Sequence, residues 1–168
     1  LRQINRDNVN RLTIAWTYDT ADGSGASQTQ PIVVNGLLYG ATPKHKIIAL
    51  NAATGKLLWR FASGLEGRGA NRGVTYWEMG NNKRIFAAVQ AYVYALDANT
   101  GKVIQDFGTG GRIDLREGLG RDSKNIAITL TTPGVIYKDM LIVGGRTPEA
   151  LPAPPGDIRA YDTRTGKL

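Results

Sequence analysis

The stretch that decides the fold is ALNAATGKLLW, at residues 49–59, because versions of it return twice more. The second copy is ALDANTGK at residues 95–102, and the third is AYDTRTGK at residues 160–167. Their glycines lie 46 and 65 residues apart, which defines a unit of about 45 residues with an insertion in the last interval. A period of this size is typical of propeller blades or of a solenoid array.

Each copy has the chemistry of a tight turn between two strands. An apolar run ends at Asn or Asp, whose short side chain can accept hydrogen bonds from backbone groups two or three residues on. Thr follows, then Gly, which supplies the positive φ of the turn, and Lys begins the next apolar run. The pattern predicts a hairpin corner between two strands of one sheet.

Another hairpin precedes each corner. Their turns are predicted at Asn35–Gly36, near Gln90–Ala91 and at Lys138–Asp139. Three strands before the corner and one after it make a four-stranded antiparallel meander, which is one propeller blade. We therefore predict an all-β chain with blade units at about 12–61, 73–105 and 127–168.

The remaining segments fit this division. Residues 7–10 can start a short helical turn, and residues 12–18 alternate as a strand does. Residues 73–77 resemble the first strand of the second blade, and residues 127–132 resume a strand pattern in the third. The glycine-rich stretch 106–125 accounts for the longer last interval.

The pattern also indicates a piece of a longer protein. A meander sheet buries its faces only against neighbouring sheets, and closing a ring takes several blades. The sequence starts inside a strand-like pattern and stops at Leu168, partway through the third corner. We therefore expect a chain truncated at both ends, with open sheet edges that favour self-association.

Composition sets further limits. The net charge of +7 raises nucleic acid as a partner, but the basic residues are scattered singly, which predicts a solvated basic surface and no nucleic acid. The chain has no cysteine, so it offers neither a disulfide scaffold nor a cysteine-based site. No apolar run reaches the roughly 18 residues needed to span a bilayer.

Three sequence features together resemble the pyrroloquinoline quinone (PQQ) dehydrogenases, which are eight-bladed propeller quinoproteins. The corner repeat is similar to their tryptophan-docking motif, and NVNRLTIAWTY at residues 8–18 resembles their N-terminal segment. RGVTYW at residues 72–77, and DFG at 106–108 after the second corner, look most like the glucose and polyol branch. The resemblance implies about three blades of an expected eight-bladed propeller.

In that family the docking tryptophan packs one blade against the corner of its neighbour. Trp59 matches this position fully, whereas Gln105 stands where the second copy should have its tryptophan. The third copy ends before the corresponding residue. We expect Trp16, Trp59 and Trp77 to be packing residues.

The resemblance implies PQQ as cofactor and assigns three candidate contacts. Gln28 matches a position at the edge of the quinone pocket, and Arg72 matches an arginine that contacts the quinone. Thr131 matches a threonine whose hydroxyl bonds a PQQ carboxylate. PQQ carries three carboxylates and an ortho-quinone, so a planar, always-charged guanidinium suits it. The alternatives are a solvated loop arginine and an ordinary strand threonine.

Calcium is the second implied cofactor. Glu149 falls where alcohol-type relatives place a calcium-binding glutamate, although Arg146-Thr147-Pro148 replaces their Ser-Gly-Ala run. A hard cation needs several oxygens, so one carboxylate cannot make the site, and a solvated loop glutamate is the alternative. The adjacent cysteine pair of the alcohol enzymes is missing, and His45, the only histidine, is expected to be a turn residue.

The implied function is oxidation of an aldose, polyol or other alcohol by hydride transfer to PQQ, with electrons passed to ubiquinone or a cytochrome. The family's catalytic aspartate and most metal ligands lie in later blades, so no residue here is assigned as catalytic and the fragment alone is expected to be inactive. The implied location is the bacterial periplasm, with membrane association through segments outside this chain.

The alternative is a non-enzymatic propeller of the same repeat, a protein-binding scaffold in the cell envelope. Such a scaffold has no reason to keep Arg72-Gly73, Thr131 and the glycine-rich stretch 106–111. Their joint presence favours the enzyme.

Overall fold

The structure is a computed structural model that describes residues 3–22, 27–67, 69–120 and 126–168. Its strands in these ranges form three antiparallel sheets in which consecutive strands are neighbours. The first sheet contains β1 (Ile32–Val34), β2 (Leu37–Ala41), β3 (Ile47–Asn51) and β4 (Leu57–Phe61). The second contains β5 (Val74–Met79), β6 (Asn82–Val89), β7 (Tyr92–Asp97) and β8 (Arg112–Asp114). The third contains β9 (Val135–Tyr137), β10 (Met140–Gly144) and β11 (Ile158–Asp162). The predicted all-β architecture of antiparallel meanders is confirmed.

The three hairpins turn where the sequence predicted. Asn35 and Gly36 have φ values of 50° and 79°, which suit the two-residue turn between β1 and β2. Gln90 and Lys138 have φ values of 56° and 53° in the turns that lead to β7 and β10. Positive φ at these positions matches the twist of the flanking strands and fixes their register.

The three corners have the same hydrogen bonds. In the first, the Asn51 side-chain oxygen accepts the backbone N–H groups of Ala53 and Thr54, each at 3.0 Å. Gly55, with a φ of 71°, donates its N–H to the Asn51 carbonyl at 2.8 Å. Asp97 and Asp162 make the equivalent bonds in the other two corners. The short polar side chain and the left-handed glycine therefore close each corner as their chemistry requires.

The core is divided between the two interfaces of the second sheet. One cluster of buried side chains, including Tyr39, Trp59 and Ile85, joins the first sheet to the second. The other, including Phe86 and Leu141, joins the second sheet to the third. Successive residues of β6 alternate between these clusters, because side chains in a strand point to opposite faces in turn. The second sheet is buried on both faces.

Three segments differ from the prediction. Residues 12–18 follow a short 3-10 helix at Val9–Arg11 and are extended, but they are not a strand, because no neighbour in the described residues forms a ladder with them. The fourth strand of the second sheet is β8, which extends that sheet beyond residue 105. Within residues 127–132 the only regular pairing described is an isolated bridge between Thr129 and Arg146.

In the described ranges, no helix is both long enough and apolar enough to cross a lipid bilayer.

Candidate functional site

Three chain segments lie side by side where each sheet begins. The Gln30 N–H donates to the Arg72 carbonyl at 3.3 Å, and the Arg72 N–H donates to the Thr131 carbonyl at 2.9 Å. Gln30 precedes β1, Arg72 precedes β5 and Thr131 precedes β9, so each sheet contributes one segment. We call residues 28–30, 71–73 and 130–132 the inner ledge. Backbone bonds thus bring together residues that are far apart in sequence.

Arg72 and Thr131 also meet through their side chains. The Arg72 Nη1 group donates to the Thr131 hydroxyl oxygen at 3.2 Å. Arg72 is exposed, and its other guanidinium N–H groups have no partner among the described residues. A guanidinium with free donors next to a hydroxyl is an arrangement that can bind a carboxylate.

Gly73 permits the close approach of the first two segments. Its φ is 127°, and a Cβ atom added there would lie 2.6 Å from the Gln30 carbonyl oxygen. Any other residue would push the segments apart or strain the backbone. The glycine after Arg72 is therefore required by the packing of the inner ledge.

Two polar side chains, Asn71 within the inner ledge and Thr75 just after it, make hydrogen bonds that hold the ledge in place. Asn71 is buried, and its side-chain amide donates to the Ala88 carbonyl and accepts the Gly73 N–H, both at 3.0 Å. The Thr75 hydroxyl donates to the Pro133 carbonyl at 2.6 Å. Sequence reasoning missed Asn71, and the available signal was a small amide directly before the Arg-Gly pair.

Gln28 belongs to the same segment as Gln30 but is not brought into contact with the other candidates. Its side chain is exposed and makes no hydrogen bond to the described residues. Its assignment as a cofactor contact remains a prediction.

Glu149, the candidate calcium ligand, lies in the loop between β10 and β11. It is exposed, makes no hydrogen bond or ion pair in the described part of the chain, and lines a cavity of about 530 Å³ with Thr129 and Arg146. Those two residues pair through their backbones at 3.0 and 2.7 Å. Across the described ranges, no group of three or more His, Cys, Asp or Glu residues could hold a metal ion. The assignment of Glu149 as a calcium ligand remains a prediction.

His45 is a buried turn residue that contacts the segment preceding Arg72. Its Nε2 atom lies 3.1 Å from the Gly69 carbonyl oxygen, while its buried Nδ1 has no hydrogen-bond partner. Asp22, also buried, accepts hydrogen bonds from the Thr42 hydroxyl and the Lys46 ammonium of the same turn. Burial raises the pKa of Asp22, but these hydrogen bonds outweigh burial and hold the pKa below its ordinary value.

Repeated antiparallel meander sheets, packed through their corners and joined by the inner ledge, define a β-propeller of the blade-repeat class. Residues 1–168 match the family model described as "PQQ: Glucose/ethanol/alcohol dehydrogenase, beta-propeller domain". The chain therefore belongs to the PQQ-dependent dehydrogenase β-propeller family.

Individual relatives agree with this assignment. The chain is 33% identical to a quinate/shikimate dehydrogenase (quinone) from Acinetobacter baylyi, covering 100% of this chain and 25% of the relative. It is 35% identical to the dehydrogenase subunit of an alcohol dehydrogenase (quinone) from Gluconobacter oxydans, covering 100% of this chain and 22% of the relative. Among solved structures, quinohemoprotein alcohol dehydrogenase from Comamonas testosteroni is similar with a TM-score of 0.78 at 26% identity, covering 99% of this chain and 24% of that one. The chain thus spans about a quarter of the length of the relatives it matches.

Proposed function

We propose that this chain supplies one wall of the cofactor pocket in a PQQ-dependent dehydrogenase that oxidises an aldose, polyol or other alcohol. The observation that carries the proposal is the Arg72–Thr131 pair on the inner ledge, in which a guanidinium donates to a hydroxyl at 3.2 Å and keeps N–H groups that no described residue accepts. The relatives named quinone-dependent dehydrogenases support the same reaction class.

The donors of the inner ledge fit the chemistry of PQQ. When bound, PQQ accepts the hydride equivalent that leaves the substrate carbon. Arg72 would bind one of its carboxylates through charge-assisted hydrogen bonds, and the Thr131 hydroxyl, which accepts from the guanidinium at 3.2 Å, would donate its own hydrogen to a PQQ carboxylate. Gln28, two residues before Gln30, would add an amide at the edge of the same surface.

For the remaining features of the enzyme, the support is membership of the PQQ-dependent dehydrogenase family. Glu149 would contribute one carboxylate to a calcium ion, with the other ligands supplied from outside the described residues. The catalytic base would also lie outside this chain, which would not turn over substrate by itself. We further propose a quinone or cytochrome as electron acceptor and a periplasmic location.

Titration of the intact protein with PQQ, followed by quenching of tryptophan fluorescence, tests the proposal. Charge-assisted hydrogen bonds are worth about 1.5–3 kcal/mol, so Arg72→Ala should raise the Kd for PQQ by roughly 10- to 150-fold. The Kd of Arg72→Lys should lie between those of the wild type and of Arg72→Ala, because lysine keeps the positive charge but loses the planar guanidinium.

The matched control is Arg11→Ala. Arg11 is an exposed arginine at the end of the 3-10 helix and makes no side-chain hydrogen bond in the described ranges. Its substitution should leave the Kd unchanged. A wild-type protein that does not bind PQQ, or an Arg72→Ala variant with the wild-type Kd, would contradict the proposal.

A further inference from the structure

We propose that Asn71 is the residue that positions Arg72 toward the cofactor. This inference rests on the proposed function, because it assumes that Arg72 binds PQQ. It starts from a contrast between neighbours: Asn71 is only 6% exposed, whereas Arg72 beside it is exposed.

Both polar atoms of the buried amide make hydrogen bonds. The Nδ2 group donates to the carbonyl of Ala88, in the buried half of β6. The Oδ1 atom accepts the N–H of Gly73, two residues further along the chain. This second bond closes an Asx turn with Arg72 at its centre. The amide therefore anchors the turn to the buried strand β6 and sets the direction in which Arg72 leaves the backbone.

The backbone of Arg72 has no remaining freedom to compensate. Its N–H donates to Thr131 and its carbonyl accepts from Gln30. Gly73 lies so close to the Gln30 carbonyl that a Cβ atom added to it would be only 2.6 Å from that oxygen, so no other residue fits there without strain. A turn that opened after loss of Asn71 would shift these contacts together and would move the guanidinium away from the Thr131 hydroxyl.

If Asn71 had only a structural role, its loss would lower stability without changing PQQ binding. Arg84 provides the comparison, because it is also 6% exposed and also satisfies buried carbonyls, those of Thr163 and Arg164, at 2.9 and 2.8 Å. Arg84 lies near the opposite end of β6 from Ala88. Both residues should support stability, but only Asn71 should influence PQQ binding.

The experiment compares Asn71→Ala with Arg84→Leu in the intact protein. Both variants should lower the melting temperature. At a temperature where both are folded, Asn71→Ala should raise the Kd for PQQ about 10-fold, the scale seen when groups that orient a ligand's direct partner are removed, while Arg84→Leu should keep the wild-type Kd. Activity of Asn71→Ala should recover at saturating PQQ, because the chemical step is not altered.

A double-mutant cycle with Arg72→Ala decides whether Asn71 acts through Arg72. If it does, adding Asn71→Ala to Arg72→Ala should cause no further rise in Kd. Additive losses, or an Asn71→Ala variant with the wild-type Kd, would overturn the inference while leaving the proposed function intact. A wild-type protein that fails to bind PQQ would overturn both.

A second variant covers the case in which Asn71→Ala does not fold. Asn71→Ser keeps a hydroxyl that can accept the Gly73 N–H but cannot also reach Ala88. It should weaken PQQ binding by a smaller factor than alanine, and an unchanged Kd would overturn the inference in the same way.

Discussion

The second and third corners have the same sequence pattern but are covered by different residues. At the second corner, Trp59 packs so closely that a Cβ atom on Gly101 would lie 2.5 Å from its ring. The indole N–H donates to the Ala98 carbonyl at 2.9 Å. At the third corner, a Cβ atom on Gly166 would instead lie 2.8 Å from the backbone nitrogen of Gly108.

The comparison of the corners shows which contact is common to all three copies of the repeat. The carbonyl three residues before each corner glycine always accepts a hydrogen bond from a side chain of an earlier segment. Trp16 donates to Ala52 at 3.1 Å, Trp59 donates to Ala98, and the Arg84 guanidinium donates to Thr163 at 2.9 Å. The donor is therefore required, but its identity is not, which explains how Gln105 can stand where a tryptophan was expected.

The largest effect is expected from Trp59→Ala. Removing a buried tryptophan should cost about 3–5 kcal/mol of unfolding free energy and loosen the second corner. Trp59→Phe is the matched control and should cost about 1 kcal/mol, because the Tyr39 hydroxyl also donates to the Ala98 carbonyl, at 3.2 Å. Amide hydrogen exchange should rise at residues 97–102 and stay low at residues 162–167; an equal rise at both corners would break the comparison.

Arg84→Leu should cause the next largest loss of unfolding free energy and should loosen the third corner. It leaves two carbonyls without their donor, at about 1–3 kcal/mol for each buried group. Burial lowers the pKa of Arg84, which means that the desolvation of its charge offsets part of the gain, so we expect a total near 2–4 kcal/mol.

The matched control for this variant is Arg60→Leu. Arg60 is an exposed arginine bonded to the Tyr18 hydroxyl at 2.7 Å, and its loss should change stability by less than about 0.5 kcal/mol. Hydrogen exchange in Arg84→Leu should rise at residues 162–167 and not at 97–102. Unchanged protection at 162–167 would mean that the Gly108 backbone, rather than Arg84, holds the third corner.

The smallest effect is expected from Asp162→Asn, which makes the third corner resemble the first. A hydrogen bond from Arg164 is the main cause that holds the pKa of Asp162 well below its ordinary value of 3.8. Because the folded pKa is depressed, the stabilisation is present above pH 3.8 and is lost as pH falls through the folded value.

Asn51 makes the same backbone bonds in the first corner without a charge, so Asp162→Asn should cost less than about 1 kcal/mol at pH 7. It should also remove part of the fall in melting temperature between pH 5 and pH 2. A melting temperature with the same acid dependence in both proteins would show that the charge of Asp162 does not stabilise the corner.

The parts of the fold that could be predicted were those set by local chemistry. Asn35–Gly36 and the Asn/Asp-to-Gly corners specify their own turns, because the hydrogen bonds close within a few residues. Residues 12–18 have the alternation of a strand, but a strand also needs a neighbour to pair with, which the sequence of the segment does not contain. β8 was missed because three residues carry too little pattern to be distinguished from a loop.

The sequence could predict which residues belong to the candidate site, but not how they are arranged in space. Arg72 and Thr131 were named from the resemblance, but the 3.2 Å contact between them depends on how the second and third sheets pack. Asn71 looks like an ordinary loop amide until its burial is known. The cavity that Glu149 lines with Thr129 and Arg146 likewise depends on the pairing of two segments that are distant in sequence.

The contact of Trp59 with Gly101 determines how local unfolding of one sheet affects its neighbours. Trp59 is part of β4 in the first sheet, yet the surface it covers belongs to the second, so one side chain is shared by two units. Such an array behaves as a chain of nearest-neighbour couplings, in which each unit is stabilised by those beside it. Opening of one sheet should therefore weaken the adjacent sheet first and more distant ones only in later steps. The second sheet, coupled on both sides, should be the last of the three to exchange its amide hydrogens.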